Sequence, residues 1–295
     1  MKIIERNMNN PINFCHIAPT PLLKELTDTN GAHLLLAHLV EEDPAYRDYY
    51  ANLEDGKLKI LDNSAFEMFK QGRPMYESSK LIDMGKACNA DVIVMSDYPK
   101  EVWTKTADMA KIQAKEFKDA GFQTFYVPQS ELNDLVGLLN SFAFALDNKD
   151  IDLIGVSILA CPIGLGVNES KHEGEGSRSD AYKLQRFLSR WRIFNLLHSN
   201  GLLHENAVKR FHCLGMTDGP NEIELLIDSG YAPFIYSWDS SAAPWAGLNG
   251  ISFDMSPSGL MTGKFEKEVD FSYNDKTNIE LAKLNIDLIN RICYS

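Results

Sequence analysis

The stretch "DVIVMSDYPKEVWTKTADMAKIQAKEFKDAGFQTFYVPQ", residues 91–129, holds one complete repeat of a fold. Two short apolar runs, DVIVM (91–95) and FQTFYV (122–127), flank a charged segment, 101–120, whose apolar residues recur at helical spacing. Gly121 stands where a helix ends in a left-handed C′ residue. Strands rich in Val, Ile and Phe that alternate with amphipathic helices call for parallel strands covered by helices.

The same alternation extends in both directions. Apolar runs recur at 12–17 (INFCHI), 32–40 (AHLLLAHLV), 57–61 (KLKIL), 152–159 (DLIGVSIL), 210–214 (RFHCL) and 232–238 (APFIYSW), which with the first two makes eight candidate strands. Helical patterns are expected over 77–89, 101–120, 130–146, 179–199, 220–229 and 276–292, with Ser130, Asn133 and Asp134 opening the third and Gly230 closing the fifth. An open doubly wound sheet announces itself by a Gly-rich phosphate turn after its first strand, and none is present. The nearest approach, GLG at 164–166, follows a late strand and reads as a flexible loop. The expectation is a (β/α)8 TIM barrel forming a single domain over 1–295, a length that suits that fold.

Composition narrows the function classes. A chain of 295 residues, 44% hydrophobic, can bury a large core. It has no apolar run of membrane-spanning length and no secretory signal at its start, so a cytoplasmic protein is expected. Its five cysteines are scattered with no C-x-x-C pair, which argues against a disulfide framework and a sulfur-rich zinc site; no metal and no cofactor is expected. The net charge of -12 is not that of a general nucleic-acid binder, so any such partner needs a local basic patch. Lys171, Arg178, Lys183, Arg186, Arg190 and Arg192 supply one between 171 and 192, and Lys183, Arg186 and Arg190 share a helical face by spacing. A solvated helix surface explains the same residues equally well.

In a barrel, residues at the C-terminal strand ends line the catalytic face. They are Asp62, Asp97, Gln129, Ser157, Gly215 and Asp239. Asp62 and Asp97 each have a plain alternative as an Asx-turn or cap, and Gln129 as a loop residue. Asp239 is the sharpest, because Ser240, Ser241, Ala242 and Ala243 leave room for a bulky ligand at its carboxylate. Such a carboxylate can attack an anomeric carbon while a second one, here Asp62, manages protons. His16, His33, His38 and His212 lie in apolar runs and read as core residues; His172 and His204 make no H-E-x-x-H helix, and no G-x-S-x-G elbow occurs.

Taken in order, these motifs resemble the tRNA-guanine transglycosylase superfamily over roughly residues 57–250. The family's D-S-G-G-[FY]-Q segment is similar to DNSAFE, which implies Asp62 as general base and Phe66 as the aromatic on the purine. ADVIVMSDYP resembles the strand whose acidic residue reads guanine, implying Asp97, and VPQS implies Gln129. VSI stands where the family has G-G-L, so Ser157 and Ile158 would offer an N–H and a C=O to the base without the two glycines. HCLGMTDGP, with the following helix and FIYSWDSSAAP, resembles the family's last segments, implying Leu214 beneath the base, Gly215 beside it and Asp239 as nucleophile. A C-terminal zinc site like the family's is not expected, since Cys293 stands alone, and neither is an appended RNA-binding domain. That fits the DNA-directed branch of phages and bacteria.

The resemblance implies exchange of guanine in DNA for a 7-deazaguanine such as preQ0, in the host cytoplasm if the protein is phage-encoded. The expected partners are DNA, favoured over tRNA, and the free base; nothing in the sequence sets the oligomeric state. Competing readings are a tRNA-guanine transglycosylase, a barrel glycoside hydrolase using Asp62 and Asp239 with Trp238 and Trp245 as sugar platforms, and a non-catalytic partner subunit.

Overall fold

The computed structural model describes residues 12–167, 180–203, 209–217, 219–253 and 268–294. Eight strands form one sheet: β1 (Asn13–His16), β2 (His33–Leu36), β3 (Lys59–Asp62), β4 (Val92–Val94), β5 (Gln123–Tyr126), β6 (Leu153–Ser157), β7 (Arg210–Leu214) and β8 (Ile235–Ser240). Every pairing among the described strands is parallel, and the order β1-β8-β7-β6-β5-β4-β3-β2 is that of a (β/α)8 barrel. The seam between β1 and β2 is closed locally: Gly31 N–H donates to Phe14 O at 2.9 Å, and the Asn30 amide bridges the backbone of His16, accepting from its N–H at 3.0 Å and donating to its C=O at 3.2 Å.

Helices cover the barrel in chain order. They are α1 (Leu23–Leu26), α2 (Ala37–Glu42), α3 (Pro44–Asn52), α4 (Ala65–Gln71), α5 (Ser78–Ala87), α6 (Trp103–Asp119) and α7 (Leu135–Asp147). Then come α8 (Ala160–Gly164), α9 (Asp180–Phe187), α10 (Ser189–Ser199), α11 (Pro220–Asp228), α12 (Ala242–Leu248) and α13 (Ile279–Tyr294). Residues 91–129 fold as β4–α6–β5, and Gly121 and Gly230 follow their helices with φ of +94° and +79°. No described helix is long and apolar enough to cross a membrane.

Four expectations are corrected. The run 32–40 is a strand only to Leu36; α2 takes over at Ala37, and because Ala37, His38, Leu39 and Val40 are all buried, the apolar run continues across the boundary without marking it. The helix expected from 130 starts at Leu135, where the Asp134 carboxylate caps Gly137 N–H at 2.8 Å. The helix expected over 179–199 is broken at Leu188; the Ser189 hydroxyl donates to Gln185 O at 2.7 Å, a back-bond that bends helices. The GLG segment is not simply loop, since Gly164 ends α8.

The last helix packs tightly on α12. A Cβ on Gly247 of α12 would lie 2.3 Å from Ala282 Cα and 2.5 Å from Ala282 N of α13, so only glycine allows that backbone approach. Gly247→Ala is therefore expected to cost about 1–3 kcal/mol, read as a lowered midpoint in denaturant with unchanged slope. An unchanged midpoint would contradict this packing.

Candidate active site

Side chains from six strands gather at the C-terminal end of the barrel. Asp62 is the last residue of β3, Ser157 of β6 and Leu214 of β7, while Asp239 is the last but one of β8. Asp97 and Gln129 stand just past β4 and β5. Asp97, Gln129, Ser157 and Asp239 are buried, whereas Phe66, in the first turn of α4, is 48% exposed beside the Asp62 turn.

The turn after β3 is built by two successive side chains. Asp62 Oδ2 accepts from Ser64 N–H at 3.0 Å and Asn63 Oδ1 from Ala65 N–H at 2.8 Å, so the plain Asx-turn reading of Asp62 holds for one of its oxygens. Ser64 is left-handed, φ 55°, an unusual state for a serine. Its Oγ is held at 2.9 Å by Nδ1 of His38, which caps the turn from α2. Burial pushes the Asp62 carboxyl well above its ordinary range, the charge of Glu67 adds to this, and those of Asp239 and Asp97 add further against the opposing Ser64 N–H. Asp62 thus feels both other carboxylates of the mouth.

Asp97 sits between two amides. Asn63 Nδ2 donates to its Oδ1 at 2.7 Å and to Met95 O at 2.6 Å, and Gln129 Nε2 donates to its Oδ2 at 2.5 Å. Gln129 Oε1 is buried with no hydrogen-bond partner, an acceptor that something else must satisfy. Burial raises the Asp97 pKa to about 6 despite both amides. Asn63, a departure from the resembled motif, is a site residue that the sequence reading passed over.

A carboxyl whose folded-state pKa lies above its unfolded value stabilises the protein fully only below the unfolded value, and that contribution is lost as pH rises through the folded one. For Asp97 the window runs from about 4 to about 6. Relative to Asp97→Asn, the wild-type stability is expected to fall across that window by about 3 kcal/mol, read as a lower melting temperature. Parallel pH curves for the two proteins would contradict the assignment.

Asp239 is held through one oxygen. His212 Nε2 lies 2.9 Å from Oδ1 and Gly215 N–H donates to the same atom at 3.1 Å; among the described residues nothing donates to Oδ2. Gly215 makes its contact in a left-handed turn, φ 71°, and its carbonyl accepts from Trp238 Nε1 at 2.7 Å. The β7/β8 register shifts between Phe211 and His212, so that Phe211 faces Ile235 but His212 faces Ser237. That shift brings His212 between Ser237 Oγ, 2.7 Å from Nδ1, and Asp239. His212, read as a core histidine, is indeed wholly buried, yet its ring serves the site.

Other expected roles are corrected. Arg190 cannot meet a nucleic acid: it is 1% exposed, its Nε and one terminal nitrogen pair with Glu222 at 2.7 and 2.6 Å, and its guanidinium lies over Trp238. Lys183 and Arg186 lie on α9, a helix separate from that of Arg190, with Lys183 exposed and Arg186 partly so. Lys171, Arg178, His172 and His204 lie outside the described residues. At the end of β6 the Ile158 N–H donates to Leu214 O at 3.1 Å and Ser157 Oγ accepts from Leu159 N–H at 3.1 Å, which leaves the Ile158 C=O as the group that residue could offer a base. Trp238 and Trp245 are buried and offer no sugar platform. Among the described residues no cluster of three or more His, Cys, Asp or Glu side chains is placed to hold a metal ion.

No family model matches the chain, and no curated protein is significantly similar to it.

Proposed function

We propose that the protein is a base-exchange transglycosylase that replaces guanine in DNA with a 7-deazaguanine such as preQ0 through a covalent intermediate on Asp239. The observation that carries this reading is a pair of differently equipped carboxyls at one barrel mouth. Asp239 is anchored through Oδ1 with Oδ2 unpartnered among the described residues, and Asp62 is driven toward its protonated form by burial and by the charges around it.

In the first step Asp239 Oδ2 attacks C1′ of a guanine nucleoside, and the C1′–N9 bond breaks. The electron pair leaves with guanine, which takes the Asp62 proton. The incoming base then returns a proton to Asp62 from its N9–H and attacks C1′ from the vacated face. Asp239 departs as a carboxylate, and two inversions give net retention.

Selectivity comes from acceptors. Asp97 and the orphaned Gln129 Oε1 would offer acceptor atoms to the N–H donors of a guanine edge, and would be left unpaired against adenine. Phe66, half-exposed beside Asp62, would stack on the base, with Leu214 beneath it. A guanine in a duplex must be extruded to reach this mouth, so single-stranded DNA is the easier substrate. Lys183 and Arg186 would contact its phosphates. The burial of Trp238 and Trp245 weighs against the glycoside hydrolase.

The test is digestion of DNA to nucleosides, with and without the protein and the free base, followed by mass analysis. Deazaguanine deoxynucleosides that appear only with the protein support the reading. Their absence, with labelled guanine entering tRNA instead, moves the activity to tRNA.

A further inference from the structure

We infer that His212 is a positioning residue that governs the second half of the reaction, the release of the sugar from Asp239, more than its capture. This rests on the transglycosylase reading above. Asp239 carries two donors, His212 Nε2 and Gly215 N–H, and both converge on Oδ1 at 2.9 and 3.1 Å. Because a carboxylate only accepts, Nε2 carries a hydrogen toward Oδ1, while the Ser237 hydroxyl lies 2.7 Å from Nδ1 on the other side of the ring. The ring cannot swing aside: it is 0% exposed, and Phe125 packs edge-on with ring centroids 5.3 Å apart.

The asymmetry has a chemical consequence. With Oδ1 occupied, Oδ2 is the attacking atom, and in the glycosyl ester Oδ1 becomes the carbonyl oxygen. Donors on a carboxylate lower its nucleophilicity slightly in the first step. When the incoming base attacks C1′, the C1′–Oδ2 bond breaks and its electron pair returns to Asp239. Negative charge rebuilds on Oδ1 directly against two fixed donors, the arrangement that stabilises a developing oxyanion. Removing the imidazole donor therefore slows ester breakdown and leaves ester formation nearly intact.

The experiment compares wild type, His212→Leu and His212→Gln with a guanine-containing single-stranded oligodeoxynucleotide. Labelled-guanine exchange is measured beside the protein–DNA adduct that survives denaturation. The ratio of adduct to exchange does not depend on the amount of folded protein. We expect it to rise roughly 10-fold or more in His212→Leu, and His212→Gln, which keeps a side-chain N–H, to return it toward wild type. A His212→Leu ratio equal to wild type overturns the assignment alone. Wild type that neither exchanges base nor forms adduct overturns the transglycosylase reading and the His212 role with it.

Discussion

Asp239→Asn is expected to lower base exchange by about 10⁴-fold or more, the scale set by removal of a covalent nucleophile. The substitution keeps the shape of the side chain and an oxygen for the His212 and Gly215 donors, which bond only Oδ1 in the wild type. What it removes is the anionic Oδ2. Thermal stability should consequently stay within about 1 kcal/mol of wild type, and the adduct should vanish together with exchange. A non-catalytic partner subunit predicts the reverse, function intact in Asp239→Asn.

The largest effect on stability is expected at Arg190. Its guanidinium is buried, doubly paired to Glu222, and donates to Val156 O at 3.3 Å and Leu214 O at 3.2 Å, tying the ends of β6 and β7 together. Glu222 in turn accepts from the Thr217 N–H at 2.8 Å and the Thr217 hydroxyl at 2.7 Å, fixing the loop that carries Gly215. Arg190→Leu strands a buried carboxylate and is expected to cost about 3–5 kcal/mol, or roughly 5–8 °C in melting temperature for a domain of this size. Lysine cannot replace the two-pronged contact. The double variant Arg190→Leu/Glu222→Leu should recover part of the loss, because it also removes the stranded charge. A single variant that melts with wild type would mean the pair contributes nothing.

The parallel barrel was legible because its signal is repeated and local. Each strand is a short apolar run, and α5, α6, α11 and α13 keep the 3.6-residue period with polar outer faces. The boundary at Ala37 was not legible, because a buried strand that runs into a buried helix leaves no change of composition. The short helices α4, α8 and α12 at the strand ends span too few turns to show a period.

Within the site, position along the strands was enough to gather Asp62, Asp97, Gln129 and Asp239 at one end, since strand ends of a barrel share a mouth. Pairing was not. Arg190 counted as a surface cation by helical spacing, yet its counter-ion lies 32 residues away. His212 counted as core by its apolar neighbours, and only the β7/β8 register shift, invisible in composition, turns it toward Asp239. The one available signal for it was spacing on β8, where Ser237 and Asp239 occupy the same face of a strand.

The most direct measurement incubates the protein with single-stranded DNA and labelled guanine, and follows label incorporation and free sugar together. Label entering the DNA in step with release of unlabelled guanine, with no sugar freed, is the predicted result. Freed sugar or abasic sites without incorporated label would contradict a glycosyl intermediate on Asp239 that is resolved by a base.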